Sequence, residues 1–255
     1  MNLPFLFVDE VETKGRRCLL RVDLNVPLSN GVIINDTRIQ RILPGLKVLL
    51  GTGARVIILT HLGRPKGKVV PELSVGPVAE ALSVQLGVNV PVVTDILGDD
   101  SKQAVAAMRN GDVLIMENLR FNPGEEANDP AFAAALAALG DIYVGDAFSC
   151  THRAHASVEG LPRLMKIVVA GRSLGEELTV LDQALASPER PVAAVIGGAK
   201  VSTKLSVLQN LVSRVDLLVL GGGMANTFLL ADDHIVGASL VEADMIDVVK
   251  RIQYS

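Results

Sequence analysis

Four arginines sit where an α/β chain can use them to hold an anion. Arg64, Arg120 and Arg153 lie in the segments following three apolar, β-branched runs, and Arg38 lies just inside a helix start. A guanidinium fork binds carboxylate or phosphate in bidentate fashion, and each charge-assisted hydrogen bond is worth about 1.5–3 kcal/mol. Together they suit a small molecule carrying both groups. His61 adds one more donor at the end of the run that precedes Arg64. Asp23 and Asn25 follow another strand-like run; alone they read as turn formers, and beside arginines they can hold a ligand hydroxyl.

A second constellation is Gly197-Gly198-Ala199-Lys200-Val201-Ser202-Thr203-Lys204, joining a strand to a helix. Glycines at such a turn let an anion approach the backbone, and the helix start attracts it. Lys200 and Lys204 are four apart, so a helix through both would put them on one face. The spacing is neither a Walker A loop nor a dinucleotide fingerprint. Gly221-Gly222-Gly223 repeats the feature one strand later, which points to a nucleotide pocket. His152 and His155 form an HxxH without an evident third ligand, so no metal site is expected. Cys150 has no sequence neighbour that marks it as a nucleophile, and His234 reads as a surface residue.

The elements that must position these residues alternate between strand and helix, the signature of a parallel α/β sheet. Strands are predicted at 18–22, 55–60, 90–94, 113–116 and 142–144, with 166–170 ambiguous. Helices are predicted from 36–37, at 74–86, at 102–108, and from the Asp129-Pro130 cap to Gly140. In the first, Ile39, Ile42, Leu43, Leu46 and Leu50 form the apolar face, with Pro44 a possible kink. From Arg172 a stripe of Leu174, Leu178, Leu181 and Leu185 makes an amphipathic helix, broken by Ser187-Pro188-Glu189-Arg190-Pro191. We therefore divide the chain into a first domain at 1–171, a hinge helix at 172–187 and a second, partial α/β domain at 188–255. The second contains strands at 192–196 and 217–220, a helix from about Ser202 to Val212, another after Gly223, and a last one at 241–252. Parallel sheets feed ligands at the carboxyl ends of their strands, where the arginines are.

Composition limits what the chain can be. The 255 residues are 49 % hydrophobic and 20 % charged, with 3 % aromatics and no Trp, so the core must be aliphatic. A net charge of −4 argues against non-specific nucleic-acid or anionic-membrane binding. Cys18 and Cys150 are too few for a disulfide framework and fit a reducing, cytoplasmic setting. The start has no basic n-region, and no apolar run approaches the roughly 20 residues that span a bilayer.

Read together, these motifs resemble the phosphoglycerate kinase family. They are Arg21-Val22-Asp23-Leu24-Asn25-Val26-Pro27, Asp36-Thr37-Arg38-Ile39, His61-Leu62-Gly63-Arg64-Pro65-Lys66-Gly67 and Glu117-Asn118-Leu119-Arg120-Phe121. Pro123-Gly124-Glu125-Glu126, Asp146-Ala147-Phe148, His152-Arg153-Ala154-His155 and the two glycine-rich stretches follow in the family's order. The loop Ser149-Cys150-Thr151 departs from the commoner Gly-Thr-Ala.

The resemblance implies two doubly wound, Rossmann-like α/β domains that close over the reaction. It implies reversible phosphoryl transfer between 1,3-bisphosphoglycerate and ADP, giving 3-phosphoglycerate and ATP with Mg²⁺, in a cytoplasmic monomer. By motif, Asp23, Asn25, Arg38, His61, Arg64, Arg120 and Arg153 would hold the phosphoglycerate, with Leu24, Leu62 and Gly63 in the same loops. Arg38 and Lys200 would stabilise the phosphoryl group in flight. Lys204, with Gly197, Gly198, Gly221, Gly222 and Gly223, would meet the nucleotide phosphates. Family members continue past a residue such as Ser255, and the protein ligands of Mg²⁺ are expected in that further segment. On this reading the chain is truncated, with an open sheet edge and unpartnered helix faces in its second domain. The alternatives are a non-catalytic 3-phosphoglycerate binder and an α/β scaffold whose arginines only decorate loops.

Overall fold

The structure is a computed structural model and describes residues 5–186 and 188–254. It divides into two compact units, Met1–Thr179 and Val180–Ser255, each considered by itself.

In the first unit, β1 (Leu6–Phe7) precedes β2 (Arg17–Val22), and a small antiparallel ribbon, β3 (Leu28–Ser29) with β4 (Val32–Ile33), leads to helix α1 (Thr37–Gly51). Then come β5 (Arg55–Leu59), α2 (Gly76–Leu86), β6 (Val92–Val93), α3 (Asp99–Ala107) and β7 (Val113–Met116). The short α4 (Pro123–Glu126) and α5 (Pro130–Ala137) lead to β8 (Ile142–Asp146), the four-residue α6 (Leu161–Leu164) and β9 (Val168–Ala170); the division between the units falls within the next helix, α7 (Arg172–Ala186). The main sheet has the order β1-β9-β8-β2-β5-β7-β6, and every pairing in it is parallel.

Side-chain alternation divides the core into two layers. Cys18, Leu20 and Val22 of β2, with Val56, Ile58, Val113, Ile115, Ile142 and Val144, pack against α1 and α2. Leu19, Ile57, Leu59, Leu114, Met116 and Tyr143 pack on the other face against α3, α5 and α6. The sheet is therefore doubly wound, as the family resemblance implied. Along α1 the buried residues are Ile39, Ile42, Leu43, Leu46 and Leu49. Leu50, expected on that face, is only half-buried and packs at the margin of the core, while Leu49, seven residues after Ile42, is buried.

From β2 the chain moves outward through β5 towards β7 and β6, then returns to place β8 on the other side of β2. The strand order reverses there, so the loops leaving β2 and β8 diverge and open a crevice at their carboxyl ends. The ambiguous stretch at 166–170 supplies β9, and β1 pairs with it through Leu6–Val169 and Phe7–Ala170. β1 went undetected because a two-residue strand has no periodicity to read. At α5 the expected cap is present, Phe132 N donating to Asp129 Oδ1 at 2.7 Å. None of the helices in the described residues is long and apolar enough to cross a membrane.

In the second unit β10 (Ala193–Gly197) pairs in parallel with β11 (Leu217–Gly221). Helices α8 (Leu205–Val212), α9 (Gly223–Ala231) and α10 (Ile246–Gln253) complete it. Ile196, Val201, Leu208, Met224, Phe228, Val249 and Ile252 form its core. The opposite sheet face leaves Val195 77 %, Leu217 58 % and Val219 41 % exposed. It is chiefly this sheet face, rather than the expected helix faces, that lacks a covering layer among the described residues. The side chain of Leu185 in the expected α7 stripe, and Ser187 in the break after it, lie outside the described residues.

Candidate anion site at the strand ends

The site begins where β2 stops. Thr60, fully buried just after β5, donates from Oγ1 to Val22 O and accepts from Leu24 N, both at 3.0 Å. This one hydroxyl fastens the β2 end to the β5 end and fixes the turn carrying Asp23 and Asn25. Asn25 N donates to Asp23 Oδ1 at 3.1 Å, so Asp23 is a turn former as well as a charge. Its other oxygen accepts from the Arg38 guanidinium and from Ser149 Oγ. Burial alone would raise the Asp23 pKa; the Ser149 and Asn25 hydrogen bonds and nearby cationic groups outweigh it and hold it below the usual range.

Asn25 Oδ1 accepts from Gly63 N at 2.8 Å, tying the β2 turn to the loop after β5. Gly63 has φ +61°, a conformation that favours glycine, and a Cβ there would fall 2.7 Å from Leu73 Cδ2 and displace that side chain. Gly63 O accepts from Arg120 Nη1 at 2.8 Å, and Gly67 N donates to Arg120 O at 3.1 Å. Arg120 is 5 % exposed. Its Nε lies 3.3 Å from Glu126 Oε1 as an ion pair without hydrogen-bond geometry.

Beneath these loops Asn118, fully buried, makes four bonds. Its Nδ2 donates to Leu62 O (2.7 Å) and Leu73 O (2.9 Å), while its Oδ1 accepts from Leu62 N and Arg120 N, both at 3.2 Å. Leu24 and Leu62 bury their side chains, and their amides are bonded internally to Thr60 and Asn118. They therefore shape the loops.

His61 is 2 % exposed. Burial, reinforced by the Arg21 and Arg120 guanidinium charges, pushes its pKa down to about 3, so the ring is neutral at physiological pH. Arg153 also lies within electrostatic reach of His61 and of Arg120, and its Nε donates to His152 Nε2 at 3.3 Å. Arg64 is exposed, with no hydrogen-bonded partner among the described residues. The strand ends thus bring Asp23, Asn25, Arg38, Gly63 and Arg120 into one bonded patch, with His61 held beside Arg21, Arg153 within electrostatic reach and Arg64 on its loop. These side chains concentrate positive charge at the carboxyl ends of the strands.

Asp23, His61 and Cys150 also offer one oxygen, one nitrogen and one sulfur donor within 4.8 Å of one another, a group the sequence gave no sign of. Mg²⁺ selects oxygen donors in octahedral geometry. A mixed set ringed by Arg21, Arg38, Arg120 and Arg153 does not fit it. Mg²⁺ is therefore considered only as a companion of the nucleotide.

In the second unit Gly197 and Gly221 face each other at the ends of β10 and β11. The two glycine loops touch backbone to backbone. Gly222, at φ +67°, would place a Cβ 2.9 Å from Gly198 O, and Gly223 would place one 2.9 Å from Ala199 O. Met224 N donates to Gly198 O at 2.8 Å. Gly222 and Gly223 are therefore demanded by packing, whereas Gly221 has room for a Cβ. Lys204 lays its chain over Gly198, with Cε 3.5 Å from where a Cβ would be. Lys200 and Lys204 do not share a helix face as expected. A 3-10 turn occupies Ser202–Lys204 and Lys200 lies before it. Glu242 takes the Ser202 N (3.0 Å) and Oγ (2.6 Å) donors, which anchors the segment before α8 begins.

Sequence reasoning missed the supporting residues. Arg21, Asn118, Glu117 and Glu125 all lie within the motifs, but the motifs do not show their supporting contacts, and nothing in the sequence marks Ser157. The Glu117 carboxylate accepts from Ser74 Oγ (2.8 Å) and Val75 N (2.9 Å), and Glu125 accepts from Ser157 N and Oγ. Arg21 carried the one available signal, a charge inside an apolar strand.

Comparison with known proteins bears on the family and the fold. Residues 8–255 match the family model described as phosphoglycerate kinase. Phosphoglycerate kinase of Methylobacterium radiotolerans is 52 % identical over 244 residues, covering 96 % of this chain and 61 % of that protein. That of Bradyrhizobium diazoefficiens is 53 % identical over 252 residues, covering 99 % and 63 %. The phosphoglycerate kinase structure from Coxiella burnetii superposes with a TM-score of 0.87 at 42 % identity, covering 98 % of this chain and 63 % of that one. The one from Pyrococcus horikoshii gives 0.80 at 30 % identity, covering 98 % and 65 %. The chain thus spans a little over three-fifths of the length of these relatives. With its strand-end motifs, its doubly wound sheet and a family match over residues 8–255, the chain belongs to the phosphoglycerate kinase family.

Proposed function

We propose that the first unit binds 3-phosphoglycerate or 1,3-bisphosphoglycerate at the strand-end pocket. In the reversible transfer of a phosphoryl group to ADP, Arg38 and Lys200 would neutralise the charge that develops on that group. The observation that carries this reading is the bonded patch in which Asp23 pairs with Arg38, and Asn25, Gly63 and Arg120 join two loops around His61. Phosphoryl transfer asks a protein chiefly for positioning and charge neutralisation. In the proposal Arg64, Arg120 and Arg153 take the substrate's phosphate and carboxylate, and Asp23 and Asn25 its hydroxyl. Lys204 and the loops Gly197–Gly198 and Gly221–Gly223 take the phosphates of an Mg-nucleotide. The buried free thiols of Cys18 and Cys150 suit a reducing cytoplasm, where the family's glycolytic reaction belongs, and we assign the chain as a monomer.

Calorimetric titration with 3-phosphoglycerate tests the assignment. Binding that weakens at least tenfold in Arg64→Ala and in Arg153→Ala is expected. Absence of binding by the parent chain, or binding indifferent to both changes, would overturn it.

A further inference from the structure

We propose that Arg21 is a positioning residue, holding His61 as a fixed Nε2–H donor through a buried relay that begins at Glu125. This rests on the reading of the pocket as a phosphoglycerate site. The relay is defined by hydrogen-bond direction. Glu125, fully buried in α4, accepts from Ser157 N at 2.9 Å and from Ser157 Oγ at 2.6 Å. The Ser157 hydroxyl, its proton so committed, can only accept from Arg21 Nε, 2.8 Å away. Arg21 Nη1 donates to Val22 O, which leaves Nη2, 3.3 Å from His61 Nδ1 and 4.0 Å from Cys150 Sγ.

A guanidinium has donors and no acceptor. Facing it, His61 Nδ1 must present its lone pair. The neutral ring then carries its single hydrogen on Nε2, the nitrogen left over for a ligand. A ligand phosphate or carboxylate is an acceptor, so this is the tautomer the pocket needs.

The burial pattern explains why such an arrangement holds. Arg21 is 2 % exposed and Ser157 and Glu125 are 0 %, and Tyr143 OH donates to Ser157 O at 3.0 Å from the same layer. A buried cation and a buried anion joined through one hydroxyl satisfy each other's hydrogen-bonding needs, and neither can rotate away without leaving a partner unpaired. The alternation that sends Leu20 and Val22 to one face of β2 sends Arg21 to the other. Ser157 and Cys150 meet it there, and its forked head stays beside His61. Arg21 thus acts through His61.

Ring nitrogen-15 spectra of histidine-labelled chain at pH 7, assigned through His61→Gln, read the tautomer directly. The expected pattern is protonated Nε2 and bare Nδ1. Protonated Nδ1 in the parent chain would overturn the proposal, and this measurement needs no Arg21 variant. In Arg21→Met the freed Nδ1 should yield a tautomer mixture, and affinity for 3-phosphoglycerate should fall about tenfold. In a His61→Gln background the same change should cost less than twofold, because its effect runs through His61. Equal losses in both backgrounds would overturn the positioning role. Should Arg21→Met fail to fold because Glu125 is left uncompensated, Arg21→Met with Glu125→Gln removes both charges and is judged by the same tautomer and affinity criteria. Failure of the parent chain to bind 3-phosphoglycerate would overturn the functional reading and the ligand role built on it, while the ring-nitrogen pattern still decides the Arg21–His61 assignment.

Discussion

Replacing Asn118 by aspartate changes one atom of the buried staple and reverses half of its hydrogen bonding. The remaining oxygen can still accept from Leu62 N and Arg120 N, each at 3.2 Å. The new one confronts Leu62 O and Leu73 O at the positions where Nδ2 donates over 2.7 and 2.9 Å. Two buried carbonyls lose their donor, at about 1–3 kcal/mol each, so Asn118→Asp should cost about 4 kcal/mol at pH 7.

Acidification should reduce that deficit. A carboxyl facing two carbonyls without solvent has its folded pKa raised, so the native state holds the proton more tightly than the unfolded one. The variant therefore regains stability relative to the parent as pH falls towards 5, because its O–H replaces one lost donor. Urea denaturation followed by tyrosine emission reads this. The chain has no Trp and two Tyr, and Tyr143 is 5 % exposed in the layer beside the site whereas Tyr254 is 81 % exposed. A variant within 1 kcal/mol of the parent at pH 7, or a deficit that grows on acidification, would refute the reasoning.

Three further perturbations follow from the same structure. His61, with its pKa lowered from 6.5 to about 3 chiefly by burial, contributes stability that is present above pH 6.5 and lost as the pH falls towards 3. At about 1.4 kcal/mol per unit that is up to about 5 kcal/mol, and His61→Gln should remove this slope from pH-dependent denaturation. Asp146, pushed from 3.8 up to about 6 chiefly by burial, has the opposite sign: the native state binds its proton more tightly, so stability falls as pH rises from 4 to 6. Asp146→Asn, which retains the acceptor for Leu174 N (2.7 Å), should gain up to about 3 kcal/mol over the parent by pH 7; equal pH profiles would count against it. Gly222→Ala forces a residue with Cβ into φ +67° and within 2.9 Å of Gly198 O. It should cost about 1–3 kcal/mol, read as faster amide exchange at Met224 N with unchanged protection in β2.

The doubly wound sheet was legible because its strands are long enough to show their character. Val113–Met116 and Arg55–Leu59 are apolar at every position but one, as strands buried on both faces must be. Where a strand shrinks to two residues, as at Leu6–Phe7, periodicity has nothing to act on and tertiary pairing alone defines it; Val92–Val93 is legible only as the middle of the longer stretch 90–94. Lys200 and Lys204 fail for a related reason. Counting residues assumes a helix, whereas the Glu242 carboxylate, 40 positions away from Ser202, holds the segment in a tighter turn.

The site divides along a similar line. Arg64, Arg120 and Arg153 could be read because charge beyond a strand end stands out against an acidic, aliphatic chain, and Arg38 because it opens the helix that follows the first such strand. Their supports could not. Arg21 looks like one charge in a strand until Ser157, 136 positions later, is found opposite it. Glu125 sits in an acidic turn until its burial shows that it faces inward. A residue that touches ligand must be chemically conspicuous, whereas a residue that orients it needs only a suitable neighbour, and neighbours separated by more than a hundred positions are set by strand order. The return of the chain to place β8 beside β2 both opens the crevice and carries Ser157 to Arg21. The same topological event therefore makes the pocket and completes the buried relay beneath it.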